Sequence, residues 1–148
     1  MLIFNKYISS NSIDIIESYI EKYSTINFKN KAIVVRDSLE FDKIKLLNDE
    51  SLLKKFLIKR PNSIYFSQVE ELMYKVAFDK IKSSNSLEKY EEYVKTYPNS
   101  SMLNEAIDFI STKYWEIIDP KNNKDLYLKY ISDYPKSKFI ATAKIKIE

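Results

Sequence analysis

The chain contains no cysteine, no histidine and no glycine. Without cysteine there is no disulfide, no thiol nucleophile and no thiolate site for zinc or an iron–sulfur cluster. Without histidine the commonest general base and the commonest metal ligand are gone, and with them every Ser-His-Asp arrangement. Without glycine neither a Walker A loop nor a G-x-G-x-x-G dinucleotide loop can be written, and tight Asn-Gly hairpins are excluded. No apolar run approaches the roughly 20 residues that span a bilayer. The opening MLIFNKYISSNS has too short an apolar stretch, and no small-residue cleavage site, to read as a signal peptide. Lack of cysteine is compatible with any compartment.

What is present is a helical surface and a large aromatic inventory. The 148 residues are 45% hydrophobic, enough to bury a core, and 30% charged. Twenty-four basic and 21 acidic side chains leave a formal charge of only +3. Lysines alternate with acids along most of the chain, as on a solvated helix face; basic arms that grip nucleic acid are charge blocks, and none occurs.

One pattern organises the rest. Tyr23, Arg60, Tyr97 and Tyr134 are each 37 residues apart; Pro61, Pro98 and Pro135 follow them, then Ser63, Ser100 and Ser137. A fixed period in this range marks a repeat architecture. Each period holds a shorter and a longer helical pattern. In the shorter, Leu87, Tyr90, Tyr93, Val94 and Tyr97 fall at i, i+3 and i+4 spacing and form one apolar face. Ile16, Tyr19, Ile20 and Tyr23 match them in the first copy, Leu53, Phe56 and Leu57 in the second, and Tyr127, Tyr130, Ile131 and Tyr134 in the fourth. Proline stops the helix, and the following serine is placed to cap the next one.

The longer pattern carries columns at Phe28, Tyr65, Met102 and Phe139, at Ala32, Val69, Ala106 and Ala143, at Phe41, Phe78 and Trp115, and at Ile44, Ile81 and Ile118. The alanine–valine column lets two helices approach closely. Asn48, Asn85 and Asn122 close the period, asparagine being the residue best able to take a left-handed turn when glycine is absent. These spacings predict short helices over about 12–24, 49–60, 86–97 and 123–134, and long ones over about 26–47, 63–84, 100–119 and 137–148. Phe4, Tyr7 and Asn11 match Phe41, Ile44 and Asn48, so residues 1–10 read as the end of a preceding long helix. The chain therefore reads as one repeat domain over 1–148 whose ends fall mid-helix, either a segment of a longer array or an array with shortened capping elements.

The run Asn85 to Ser100, with Tyr90, Tyr93, Val94, Tyr97, Pro98 and Ser100, followed by Ala106, resembles a tetratricopeptide-type repeat. It is closest to a bacterial variant reading Y-x-x-F-I-x-x-Y-P-x-S. The segment from Tyr127 to Ala143 resembles it nearly as well. The second copy has Arg60 for the aromatic, and the first has Ser24 for proline and Ile26 for serine. The period departs from the usual unit of about 34 residues, which calls for a long helix about a turn longer. The resemblance implies an all-α, right-handed α-solenoid of helix-turn-helix repeats, binding a peptide or protein on its concave face, often within bacterial envelope or secretion assemblies. It brings no catalytic residue and no cofactor.

By the same resemblance the long helices line the groove. One face of each carries Asn30, Val34 and Asp37, then Ser67, Glu71 and Tyr74, then Asn104, Asp108 and Ser111, and these positions vary where the core columns do not. They are the candidate partner-binding residues. The aromatic columns read as repeat-to-repeat core rather than a ligand-stacking surface, because every repeat needs them. Glu70–Glu71 and Glu91–Glu92 point about 100° apart on a helix and do not converge on a metal or a substrate. Lys54–Lys55 and Lys80 with Lys82 have acids nearby and read as ordinary surface. Three functions remain: a protein-interaction scaffold first, head-to-tail self-assembly through the helix ends second, and RNA binding, since other helical-repeat arrays read bases, a less favoured third. With no nucleophile–base pair to offer, an enzyme is the weakest reading.

Overall fold

The computed structural model describes residues 2–23 and 26–148; the side chains of Leu2, Ile26 and Asn27 lie outside the description. Among the described residues the secondary structure is helical, with no strand: α1 Leu2–Ile8, α2 Ile13–Lys22, α3 Ile26–Leu47, α4 Glu50–Lys59, α5 Phe66–Lys82, α6 Leu87–Thr96, α7 Leu103–Ile118, α8 Lys124–Asp133 and α9 Ile140–Ile147, with a 3-10 turn at Asp119–Lys121 after α7. The helices gather into two compact units, residues 1–76 and 77–148, where the sequence suggests one continuous domain. The division falls within α5.

The connection from long to short helix ends in every copy on the same two positions. Asn11, Asn48, Asn85 and Asn122 all have φ between 45° and 51°. A side chain with a short polar group tolerates that left-handed backbone, which costs most other residues about 1–2 kcal/mol. The next residue in each copy, Ser12, Asp49, Ser86 or Asn123, is the N-cap of the short helix, and its side-chain oxygen accepts backbone N–H bonds from the first turn. Acids at Asp14, Glu50, Glu88 and Asp125 in that first turn complement the helix dipole.

The connection from short to long helix corrects one expectation. Ser63, Ser100 and Ser137 do not cap the long helices, which begin three residues later. Each serine sits in an intervening turn: its N–H bonds the carbonyl of Arg60, Tyr97 or Tyr134, and its carbonyl accepts the N–H of Phe66, Leu103 or Ile140. Its hydroxyl accepts the N–H two residues on, from Tyr65, Met102 or Phe139. Proline at the start of this link forces the extra turn before helical geometry resumes. The expected long helices at 63–84, 100–119 and 137–148 are shorter by that turn. The first copy lacks this proline and serine, and its Ser24 and Thr25, with the end of the expected 12–24 helix, lie outside the described residues.

Three columns are buried in every copy: Ile16, Leu53, Tyr90 and Tyr127; Tyr19, Phe56, Tyr93 and Tyr130; and Ala32, Val69, Ala106 and Ala143, the last 0% exposed throughout. The small column is where the short helix lies against the long one, and α2 packs on α3, α6 on α7 and α8 on α9 accordingly. In unit 1, Ile16, Tyr19 and Ala32 gather Phe4, Tyr7, Tyr23 and Phe28 around them. In unit 2, Trp115, Ile118, Tyr127, Tyr130 and Ala143 form the core, with Trp115 stacked on Phe139 at 5.1 Å between ring centroids. The helix packing thus repeats at 37 residues within the folded chain as it does in the sequence. No helix among the described residues is long and apolar enough to cross a membrane.

Candidate functional site

The long helices carry the sequence-derived candidates, and their positions separate into two groups. Asn30, Ser67, Glu71, Asn104 and Asp108 are exposed. Asp37, Tyr74 and Ser111 are buried, so the stripe does not continue as surface through its third position. Asp37 is 2% exposed and faces cations: Arg36 donates to Asp37 Oδ1 through Nε at 2.9 Å and Nη2 at 2.6 Å, and Arg60 Nε lies 3.7 Å away. Ser111 donates its hydroxyl to the Asp108 carbonyl, and its own carbonyl accepts the Tyr130 hydroxyl at 2.9 Å. A tyrosine hydroxyl has one proton, so the 2.6 Å contact between Tyr130 and Ser137 is donated by the serine. These polar groups are structural partners of the core.

Four of the five exposed candidates, Asn30, Ser67, Glu71 and Asp108, line grooves. In unit 1 a shallow groove of about 460 Å³ runs between α1 and α3, with Phe4 as its floor, lined further by Ile8, Val34, Val35, Asn30 and Lys31. A second, also about 460 Å³, is formed by Phe41 and Lys45 of α3 with Ser67, Gln68, Glu71, Leu72 and Lys75 of α5. The two are one groove read at successive periods: Phe4 becomes Phe41, Ile8 becomes Lys45, Asn30 becomes Ser67, Lys31 becomes Gln68, Val34 becomes Glu71 and Val35 becomes Leu72. The aromatic floor is kept and the rest is rewritten. In unit 2, Asp108, Ser111 and Thr112 of α7 face Lys136 and Lys138 across a smaller pocket of about 220 Å³.

A further cluster lies at the column where Arg60 replaces tyrosine. Arg60 Nε donates to Glu40 Oε2 at 3.0 Å, its Nη2 donates to Glu17, and Lys59 is 3.5 Å from the same Glu17 oxygen. The Arg60 side chain is only 9% exposed. Its hydrogen bond holds the Glu17 carboxyl below the usual carboxylate range, against the effect of burial. Burial opposes the charge on Arg60, yet the bonds to Glu17 and Glu40 keep its pKa above the ordinary arginine value. Two periods on, the same three columns hold Glu91, Tyr114 and Tyr134. Tyr114 donates to Glu91 at 2.6 Å, and the rings of Tyr114 and Tyr134 stack at 5.6 Å. Burial, with the neighbouring Tyr114 and the acids Asp133 and Glu91, pushes Tyr134 up to about 12. One set of columns thus joins two short helices and a long one by ions in unit 1 and by aromatic hydroxyls in unit 2. Arg60 was visible in the sequence as the exception in its column; its partners Glu17 and Glu40 carried no signal, because they lie 43 and 20 residues away with no period to link them.

Among the described residues no group of three or more acidic side chains is placed to hold a metal ion. The chain matches no family model and no curated protein.

Proposed function

We propose that this chain is a protein-interaction scaffold of the tetratricopeptide-like kind, an α-solenoid whose long helices hold a peptide or protein partner. The observation that supports this reading most directly is the recurrence of one groove at the 37-residue period with a constant aromatic floor and changing walls. Repeat arrays bind through such extended faces, each unit contributing one element of the contact. The aromatic column of Tyr19, Phe56, Tyr93 and Tyr130 is buried in every copy and belongs to the core, leaving the long-helix face as the variable surface. The partner-facing set is therefore Asn30, Val34, Ser67, Glu71, Asn104 and Asp108.

Photo-crosslinking amino acids placed at Val34 and Glu71, compared with Ile58 and Leu128, test it. Ile58 and Leu128 are exposed but lie on short helices away from the grooves. In lysate of the native organism the groove positions should form discrete protein adducts that the short-helix positions do not. Equal labelling from both sets, or none from the groove, refutes the reading.

A further inference from the structure

The two grooves of unit 1 differ in chemistry as well as in sequence. The first presents Phe4, Ile8, Val34 and Val35, an almost wholly apolar surface. The second keeps its floor in Phe41 and Leu72 but sets two ammonium groups, Lys45 and Lys75, against one carboxylate, Glu71. Unit 2 repeats that balance independently: Lys136 and Lys138 face Asp108, with the Thr112 hydroxyl beside them. In both of these polar grooves two lysines face one carboxylate.

Building on the scaffold reading, we infer that the occupant of unit 1 is an extended peptide segment that places an apolar side chain in the first groove and an acidic one in the second. An apolar lining rewards an aliphatic or aromatic side chain by area removed from water. A carboxylate in the second groove meets two exposed lysines beside an apolar floor, an attraction that is modest and weakened by salt. Specificity arises from the other direction too: a lysine or arginine in the second groove meets like charge, and in the first it meets Lys31 and no carboxylate. Packed helices lie about 8–10 Å apart, and a chain extended in polyproline II geometry advances about 3.1 Å per residue with every third side chain on one face. The apolar and acidic residues of the partner are thus about three positions apart. Ile8 with Lys45, and Val34 with Glu71, are the position pairs that set which side chain each groove takes.

The test uses short fluorescent peptides in which leucine and glutamate lie three positions apart on a serine–alanine background. Matched peptides carry leucine with lysine, leucine with leucine, or serine with glutamate, and labelled oligouridylate serves as a polyanion control. Anisotropy against the whole chain should rank the leucine–glutamate peptide tightest, by about tenfold over leucine–lysine. The double substitution Lys45→Ile with Lys75→Ser removes both ammonium groups of the second groove, giving these positions the residue types of Ile8 and Ser38 one period earlier, and should move the preference to leucine–leucine. Circular dichroism checks that the variant is folded; should it not be, Lys45→Ser with Lys75→Ser must abolish the preference for glutamate over lysine. A set bound without discrimination between glutamate and lysine, a ranking unmoved by either double substitution, or oligouridylate binding as tightly as the leucine–glutamate peptide overturns the inference. Those results leave the scaffold reading standing if groove-specific crosslinks are found, so the two fail separately.

Discussion

Removing the arginine at the tyrosine column tests how the repeat is held together in unit 1. Arg60→Ala takes a cation from three carboxylates: Glu40, Glu17, which keeps Lys59, and the buried Asp37, which keeps Arg36. Breaking a fully buried ion pair from one side costs about 3–5 kcal/mol. Glu17 is 31% exposed and keeps Lys59 nearby, which lowers the expected loss to about 2–3 kcal/mol. Arg60→Tyr restores the column residue but still leaves Glu40 without its cation, so it should cost about 1–2 kcal/mol. Adding Glu40→Tyr copies the set found two periods later, Glu91, Tyr114 and Tyr134, onto a site where Glu17 already stands in for Glu91. The double variant should recover most of that loss, a coupling of about 1–2 kcal/mol.

Hydrogen exchange on the amides of α2 and α4 measures this locally, and urea unfolding followed by circular dichroism measures it for the whole chain. An Arg60→Ala loss under about 0.5 kcal/mol, the size of ordinary surface effects, refutes the argument, as does a double variant no better than the sum of its parts. The pH dependence has a defined sign. Glu17 is held below its ordinary value of 4.5 chiefly by Arg60. Its contribution is present above that value and lost as pH falls through the folded pKa. The parent should lose stability below about pH 4.5, and Arg60→Ala should lose less over the same range.

Three further outcomes follow from the other columns. Asn85→Ala should cost about 1 kcal/mol by denaturant unfolding, because φ there is 48°, while Asn85→Gly should cost little or stabilise. Ala106→Leu, at a 0% exposed position between α6 and α7, should destabilise by about 1–3 kcal/mol or more through overpacking; Trp115 fluorescence in the same unit reports it. Tyr134, with a folded pKa of about 12 against an ordinary 10, contributes stability that is complete below pH 10 and lost as pH rises toward 12. Phenolate absorbance should show a group of late-titrating tyrosines that includes Tyr90, Tyr114 and Tyr134, and Tyr134→Phe should reduce the absorbance gained toward pH 12.

Much of the helical order was legible because a repeat states each requirement several times. A single asparagine is weak evidence for a left-handed turn; Asn48, Asn85 and Asn122 at equal spacing are strong, and Asn11 joins them at φ 51°. The N-cap column of Ser12, Asp49, Ser86 and Asn123 was as regular but is hidden by chemistry: three residue types do one job, so it does not show as identity. The serine after Pro-x misled for the opposite reason. Its identity was obvious, yet its hydroxyl serves the turn before the helix and, at Ser100 and Ser137, a buried tyrosine 2.6 Å away. In the second copy the tyrosine is Phe56, and Ser63 is correspondingly less buried.

Variation between copies proved an incomplete guide to surface. Asn30, Ser67 and Asn104 vary and are exposed; Asp37, Tyr74 and Ser111 vary and are buried. A core column can change its residue when its partners change with it. Asp37 is accompanied by Arg36 and by Arg60, whose own column is otherwise tyrosine, whereas Ser111 leaves room for the Tyr130 hydroxyl to reach its carbonyl. The distinction is therefore whether the variable residue has a variable partner inside the fold. By that criterion the Arg60 cluster belongs to the fold. Val34, an exposed apolar side chain in the first groove, is a position where change is free to follow a partner outside the chain.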